Sequence, residues 1–354
     1  MRTTLILSSA AVLGMTGLAQ AEVPRVVADI PPVHSLVAMV MQGVGAPDLL
    51  VPPGASPHGY AMRPSEAVAL DRADAVFWMG EGLTPWLGKS LEALAADAQV
   101  VELAEAEGTT VLGFRDGVTF EVIGDAHGDE HAHDDDHGDE LAHDDDHADH
   151  AEDDHADHDD HDDDGHGHDD HDEAAQAHDD HDHSGDDPHA WLDPENARVW
   201  VGVIADTLSG LDPENAATYA ANATQARADL NGLIDEIEAQ LEPVRDTKYV
   251  VFHDAYQYFE NRFDIAAAGA ISIADASDPS PARIAEIQAE IQSQKISCAF
   301  SEPQFNPALV ETVFAGIDAK AGVMDPIGAD LTPGAALYPQ LLQGLSGSLV
   351  DCLE

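Results

Sequence analysis

Residues 212–241 read DPENAATYAANATQARADLNGLIDEIEAQL, a run with no proline after Pro213 and a single glycine, Gly232. Small or apolar side chains recur at Ala216, Ala220, Ala223, Leu230, Leu233, Ile234, Ile237 and Leu241, close to the spacing of one helix face. Asp212-Pro213-Glu214 stands before them as N-cap, first-turn proline and first-turn acid. At 1.5 Å per residue the pattern predicts a rod of about 45 Å. A flexible tether would be rich in Gly and Ser; this stretch reads as stiff.

The same grammar appears on either side of the rod. Before it, the short apolar runs RVVADI (25–30), DLLVPP (48–53), AVFWMG (75–80) and QVVEL (99–103) alternate with amphipathic stretches such as VHSLVAMVMQGV (33–44) and PSEAVALDRA (64–73). After it come KYVVFH (248–253), IAAAGAISI (265–273), KISCAFSE (295–302) and AGVMDPIG (321–328), again with helical stretches between. Such alternation predicts parallel sheets with crossover helices. The expected fold is therefore α/β: an N-terminal lobe over 22–211, a long linker helix over 212–243 and a C-terminal lobe over 244–354. Asp193-Pro194-Glu195 opens one more helix, of ordinary length, just before the rod. Lobes on a rigid rod would rock slightly rather than close like a wide hinge.

The first 21 residues read as a cleavable signal peptide. Arg2 precedes an apolar stretch from Leu5 to about Leu18, and Ala19-Gln20-Ala21 fits the small-x-small pattern before a cut. The apolar core is too short for a membrane anchor, and no cysteine at the cut invites a lipid. Export to a periplasm is expected, with the mature chain beginning near Glu22 and no segment inserted in the membrane. The exported cysteines, Cys298 and Cys352, would form one bridge in an oxidising compartment, the alternative being two buried thiols.

The formal net charge of −55 is unevenly spread. Thirty of the 69 acidic residues lie between Gly124 and Pro188, leaving 39 acids against 14 bases elsewhere. That balance excludes nucleic acid, because nothing here neutralises phosphates. It also excludes a polybasic membrane patch. Residues 125–187 are dominated by Asp, His, Gly and Ala and contain nothing that would bury a core, so they read as a disordered insertion. Within it stand His127, His131, His133, His137, His143, His147, His150, His155, His158, His161, His166, His168, His171, His178, His181 and His183. Imidazole and carboxylate at such spacing form accessory sites for zinc, nickel, copper or cobalt. Each must order a floppy loop, so modest affinity and poor selectivity are expected.

Four histidines lie outside that tract: His34, His58, His189 and His253. His34 starts a helix after the first strand and reads as structural or supporting. His58 is in the turn-rich PPGASPHGYAMRPS (52–65), His189 in DDPHAWLDP (186–194), and His253 ends the strand KYVVFH. Ligands of open α/β sheets bind beyond the carboxyl ends of the strands, so all three would face the cleft between lobes. Three neutral imidazoles suit tetrahedral zinc with one position left over. Taken singly, a histidine near a strand end is more often an ordinary hydrogen-bonded one, and separations of 131 and 64 residues match no local zinc motif.

The blocks GASPHGYAMRPS, DPHAWLDP, VFHDAYQYFE, SEPQFNPALVE and MDPIG resemble, in order, those of the zinc-binding receptors of bacterial ABC uptake systems. These are the ZnuA-like branch of the metal-binding solute-binding proteins, and the similarity covers residues 22–354. It implies a monomeric periplasmic receptor, not an enzyme, that captures Zn2+ and passes it to an inner-membrane permease driven by an ATPase. It also implies His58, His189 and His253 as zinc ligands. Manganese-type relatives place a carboxylate where His253 stands, so imidazole there favours zinc. Some zinc receptors have Glu immediately before the first ligand; here it is Pro57. The fourth ligand is then Asp325 of MDPIG or water, with Glu302 a more distant candidate. Competing readings are a zinc buffer or chaperone without a transporter, a receptor for another cation such as manganese, and a zinc hydrolase. The last would need a general base beside the metal, and no catalytic motif such as HExxH is present.

Overall fold

The two β-α series fold into two four-stranded sheets, and every strand pair in both is parallel. The structure is a computed structural model describing residues 23–115, 185–272, 281–294, 296–305 and 319–354. The segment expected to be a signal peptide (1–21) and all sixteen histidines from His127 to His183 lie outside the described residues.

The first sheet comprises β1 (Val26–Ala28), β2 (Asp48–Leu49), β3 (Ala75–Trp78) and β4 (Gln99–Glu102), in the order β2-β1-β3-β4. Its crossover helices are α1 (Pro31–Val40), α2 (Pro64–Asp71) and α3 (Pro85–Leu94). Each starts with a proline, whose fixed φ and missing N–H suit the first turn. Then come α4 (Pro194–Leu211) and the long α5 (Ala216–Leu241). The second sheet holds β5 (Tyr249–His253), β6 (Gly269–Ser272), β7 (Cys298–Ser301) and β8 (Lys320–Val323), in the order β6-β5-β7-β8. With it go α6 (Gln257–Phe263), α7 (Pro281–Gln294) and the C-terminal α8 (Leu337–Leu353). The two orders are the same. In each lobe the first strand is flanked by the second and the third, which opens a crevice at the strands' carboxyl ends.

The long helix differs from expectation in two ways. It starts at Ala216, three residues beyond the proline that was to open it. Asp212 does not cap it; its carboxylate accepts hydrogen bonds from the Asn215 side chain (2.7 Å) and the Tyr219 hydroxyl (3.0 Å), closing a turn over 213–215. Short polar side chains compete with helix in this way. Nor is α5 a bare rod. Tyr219, Ala223, Ala226, Leu230, Leu233, Ile234, Ile237 and Leu241 are buried, and the helix packs along α4 and against α1 and α8. One continuous apolar core therefore runs from β1 through α5 into the second lobe. Each fully buried Leu or Ile on that seam stabilises by roughly 1.5–3 kcal/mol, so the lobes share a spine.

Asp193 caps α4 as expected, accepting from the Glu195 N–H at 2.8 Å. Cys298 of β7 is disulfide-bonded to Cys352 of α8 across 54 residues, tying the last helix to the second sheet. Among the described residues, no helix is long and apolar enough to cross a membrane.

Candidate metal centre

His253 is the last residue of β5, at the crevice of the second sheet, and is buried. Its Nδ1 donates to Glu302 Oε1 at 2.6 Å, and its backbone N–H reaches the same oxygen at 3.3 Å. Glu302 follows β7, the neighbouring strand, and is itself buried. His189 stands before a single 3-10 turn, Ala190–Leu192, that leads through Asp193 into α4. Its Nδ1 donates to Asp187 Oδ1 at 2.7 Å and its backbone N–H to the same atom at 3.0 Å. Burial pushes the Asp187 carboxyl up, and His189 pulls it back. A carboxylate can only accept, so the tautomer is assigned with the proton on Nδ1. That leaves Nε2 as the electron-pair donor of each ring, the arrangement in which carboxylates orient metal-binding histidines.

His58 comes from the loop between β2 and α2 and is partly exposed. Gly54, at φ 82°, turns this loop in a conformation that favours glycine. Trp86 of α3 donates its Nε1–H to Pro57 O at 2.8 Å. Tyr60 packs on Trp86 at 5.8 Å and donates its hydroxyl to Glu66.

One ligand atom from each ring, His58, His189 and His253, lies within 4.8 Å of the others. The ring centroids are 5.5, 6.3 and 5.3 Å apart. Tetrahedral zinc with Zn–N near 2.0–2.1 Å would place the nitrogens about 3.3 Å apart. An ion would thus draw the rings together by no more than about 1.5 Å. Pro57, Trp191, Phe305, Pro326 and Ile327 wall the cavity, a largely apolar surround that strengthens polar contacts inside it.

Asp325 is not brought into this group. Its Oδ1 accepts from Gln304 Nε2 (2.9 Å) and from the N–H groups of Ile327 (3.2 Å) and Gly328 (3.0 Å). Its Oδ2 accepts from the Ala329 N–H at 2.5 Å. In this arrangement the side chain caps a turn. Glu302, the more distant candidate, positions His253. His34 is structural: it is buried, its Nε2 donates to Pro47 O at 3.1 Å, and burial holds its pKa down.

Asp187 went unnoticed in the sequence because it closes the acidic tract; its one signal is the D-P-H spacing to His189. Asp186 and Asp187 also correct the expected end of the insertion. Asp186 pairs antiparallel with Gly113, and Asp187 is buried. Composition does not tell these two aspartates from the 24 of the tract that precede them.

Direct bonds also cross between the lobes beside the cavity. Trp191 Nε1 donates to Pro326 O (2.8 Å), the Tyr338 hydroxyl to Trp191 O (2.7 Å), and Arg262 pairs with Asp193 at 2.8 Å.

Two parallel α/β lobes on a common helical spine, with imidazoles from both meeting between them, make this a two-lobed solute-binding protein. The chain belongs to the ZnuA family, described as zinc-uptake complex component A periplasmic, whose profile matches residues 26–352. The "High-affinity zinc uptake system protein ZnuA" of Brucella suis biovar 1 (strain 1330) is 47% identical over 352 residues, covering 99% of this chain and 98% of the relative. The protein of that name from Paracoccus denitrificans (strain Pd 1222) is 45% identical over 346 residues, covering 97% and 96%. A "Crystal structure of ZnuA" superposes with a TM-score of 0.68 at 21% identity, covering 94% of this chain and all of the other. The "138-173 ZnuA deletion mutant plus zinc bound" gives 0.66 at 20% identity, covering 94% and 99%. At that identity the two structures attest the fold.

Proposed function

We propose that the protein is the periplasmic receptor of a zinc-uptake complex: it captures Zn2+ between its lobes and delivers it to an ABC permease and its ATPase. The observation that carries this is the convergence of His58, His189 and His253 from three separate pieces of chain. Two of the three are held by buried carboxylates in the orientation a metal needs. The names of the Brucella and Paracoccus relatives support zinc as the cargo. Zinc is bound and released unchanged, so the site is not catalytic, and the receptor acts as a monomer. The fourth position goes to water unless Gln304 and the turn after Asp325 release that carboxylate.

The leader 1–21 directs export. The N-terminal lobe (22–211), the joining helix (212–243) and the C-terminal lobe (244–354) then form the receptor, and the sixteen histidines from His127 to His183 supply accessory zinc binding. The test is competition for zinc against a chelator of known affinity, comparing the full chain, a deletion of 125–184 that keeps Asp187, and His253→Ala. One tight zinc should survive the deletion and disappear with His253. Loss of tight binding on deletion would make the protein a zinc buffer instead. A strain lacking the gene should fail to grow when zinc is scarce.

A further inference from the structure

The two chain segments flanking residues 116–184 form a short stem. Gly113 and Asp186 pair antiparallel, the Asp187 N–H donates to Leu112 O at 2.8 Å, and the Phe114 N–H donates to Gly185 O at 3.4 Å. Side chains of the second lobe grip both strands of this stem. The Tyr258 hydroxyl, on α6, donates to Asp187 O at 2.7 Å and accepts from the Leu112 N–H at 3.0 Å. The Gln257 amide faces Asp187 Oδ2 (3.0 Å) and Gly113 O (3.1 Å), two acceptors, which assigns its nitrogen rather than its oxygen to that side as the donor to both. Arg115 pairs through its guanidinium with Asp254 and, at 2.6 Å, with Glu260.

These contacts end on the metal site from both sides. Asp187 uses one oxygen for His189 and the other for Gln257, so a second-lobe side chain steadies the carboxylate that orients a first-lobe ligand. Asp254 is the residue after His253, and Arg115 holds it to the stem. The ion pair is largely buried: the Arg115 side chain is 17% exposed, Asp254 11% and Glu260 3%. Burial pushes the Glu260 carboxyl up, and Arg115 opposes that. A solvent-facing loop needs no such group at its neck, because burying charge is costly unless every partner is matched.

We propose that this stem is a positioning element of the metal centre, with Arg115, Gln257 and Tyr258 as positioning residues. Through them the second lobe sets the orientation of His189, and the ends of the His-rich segment are rooted in both halves of the site. The inference rests on the three-histidine reading.

The test uses the full chain. Zinc affinity is measured by chelator competition, and the visible spectrum is recorded with one equivalent of cobalt(II), which fills the tightest site first. Tyr258→Phe should weaken zinc about 10-fold and Arg115→Met about 10–100-fold, the range for loss of an outer-shell partner. Both should alter the cobalt bands, and Arg115→Lys should recover part of the affinity. If Arg115→Met does not fold, Tyr258→Phe decides alone, since it removes one oxygen and no charge. Unchanged affinity in these variants, or weaker binding with an unchanged cobalt spectrum, would overturn the stem's role while His253→Ala still abolishes binding. Normal zinc affinity in His253→Ala would overturn the site reading itself.

Discussion

The two sheets share a strand order, yet their matching crevices are used in opposite ways. In the second lobe the ends of β5 and β7 carry His253 and Glu302, a ring and the carboxylate that holds it. In the first lobe the residues after β1 and β3 are Asp29 and Met79. Asp29 is fully buried, and its carboxylate accepts from the Ile30 N–H (2.7 Å) and the Met79 N–H (2.8 Å). Both crevices contain a carboxylate that bridges neighbouring strand ends. Only one has an imidazole for it to orient. The first lobe therefore brings its two histidines from loops, each with its own prop, Trp86 behind His58 and Asp187 beside His189. Topology supplies the crevice, and one side chain decides whether it contributes to the three-imidazole cluster or acts as a staple.

The comparison can be broken most sharply at His253. His253→Ala should lower zinc affinity by more than the roughly 10–100-fold expected for an outer-shell partner, read by chelator competition. Unchanged affinity there would make the second crevice no more a site than the first. Next comes Glu302→Gln, which keeps the shape but weakens the hold on His253; a fall of about 10–100-fold is expected, with Asp187→Asn similar at His189. Asp325→Asn separates the two candidates for the fourth position. With water there, zinc affinity should hold within about threefold; a loss as large as that for Glu302→Gln would place Asp325 on the metal.

Asp29→Ala should act on stability alone. It strands two buried N–H groups, at a cost of about 1–3 kcal/mol in urea unfolding, with zinc affinity unchanged. That stability contribution also depends on pH. Burial pushes the Asp29 carboxyl up from 3.8 to about 7. A raised folded pKa favours the protonated form in the fold, so Asp29 contributes stability below about pH 3.8 that is lost as pH rises toward 7. The penalty of Asp29→Ala should therefore shrink between pH 4 and pH 7.

Much of this architecture was legible before any coordinates. Runs such as KYVVFH and AVFWMG mark strands because a doubly covered parallel sheet demands unbroken apolar segments. The ordered histidines stood out because three of the four lie in turns or at a strand end rather than in the acidic tract. Less legible was the start of α5, where Asp212 serves a turn as readily as a cap. The roles of Asp187 and Glu302 were hidden as well. One closes a tract of similar acidic residues; the other, a distant ligand candidate in the sequence, gives its Oε1 to His253.

Residue type and local spacing are properties of the chain itself, so the two β-α series, the helix between them, the disulfide pair and the three candidate ligands followed from the sequence. Which oxygen meets which ring did not. Glu302 reaches His253 across 49 residues and Arg115 reaches Asp254 across 139. Hydrogen bonds over such distances leave no periodicity behind. The turn that Asp325 holds, and the pairing of one crevice's carboxylate with an imidazole and the other's with backbone N–H groups, were set where the folded strands end side by side.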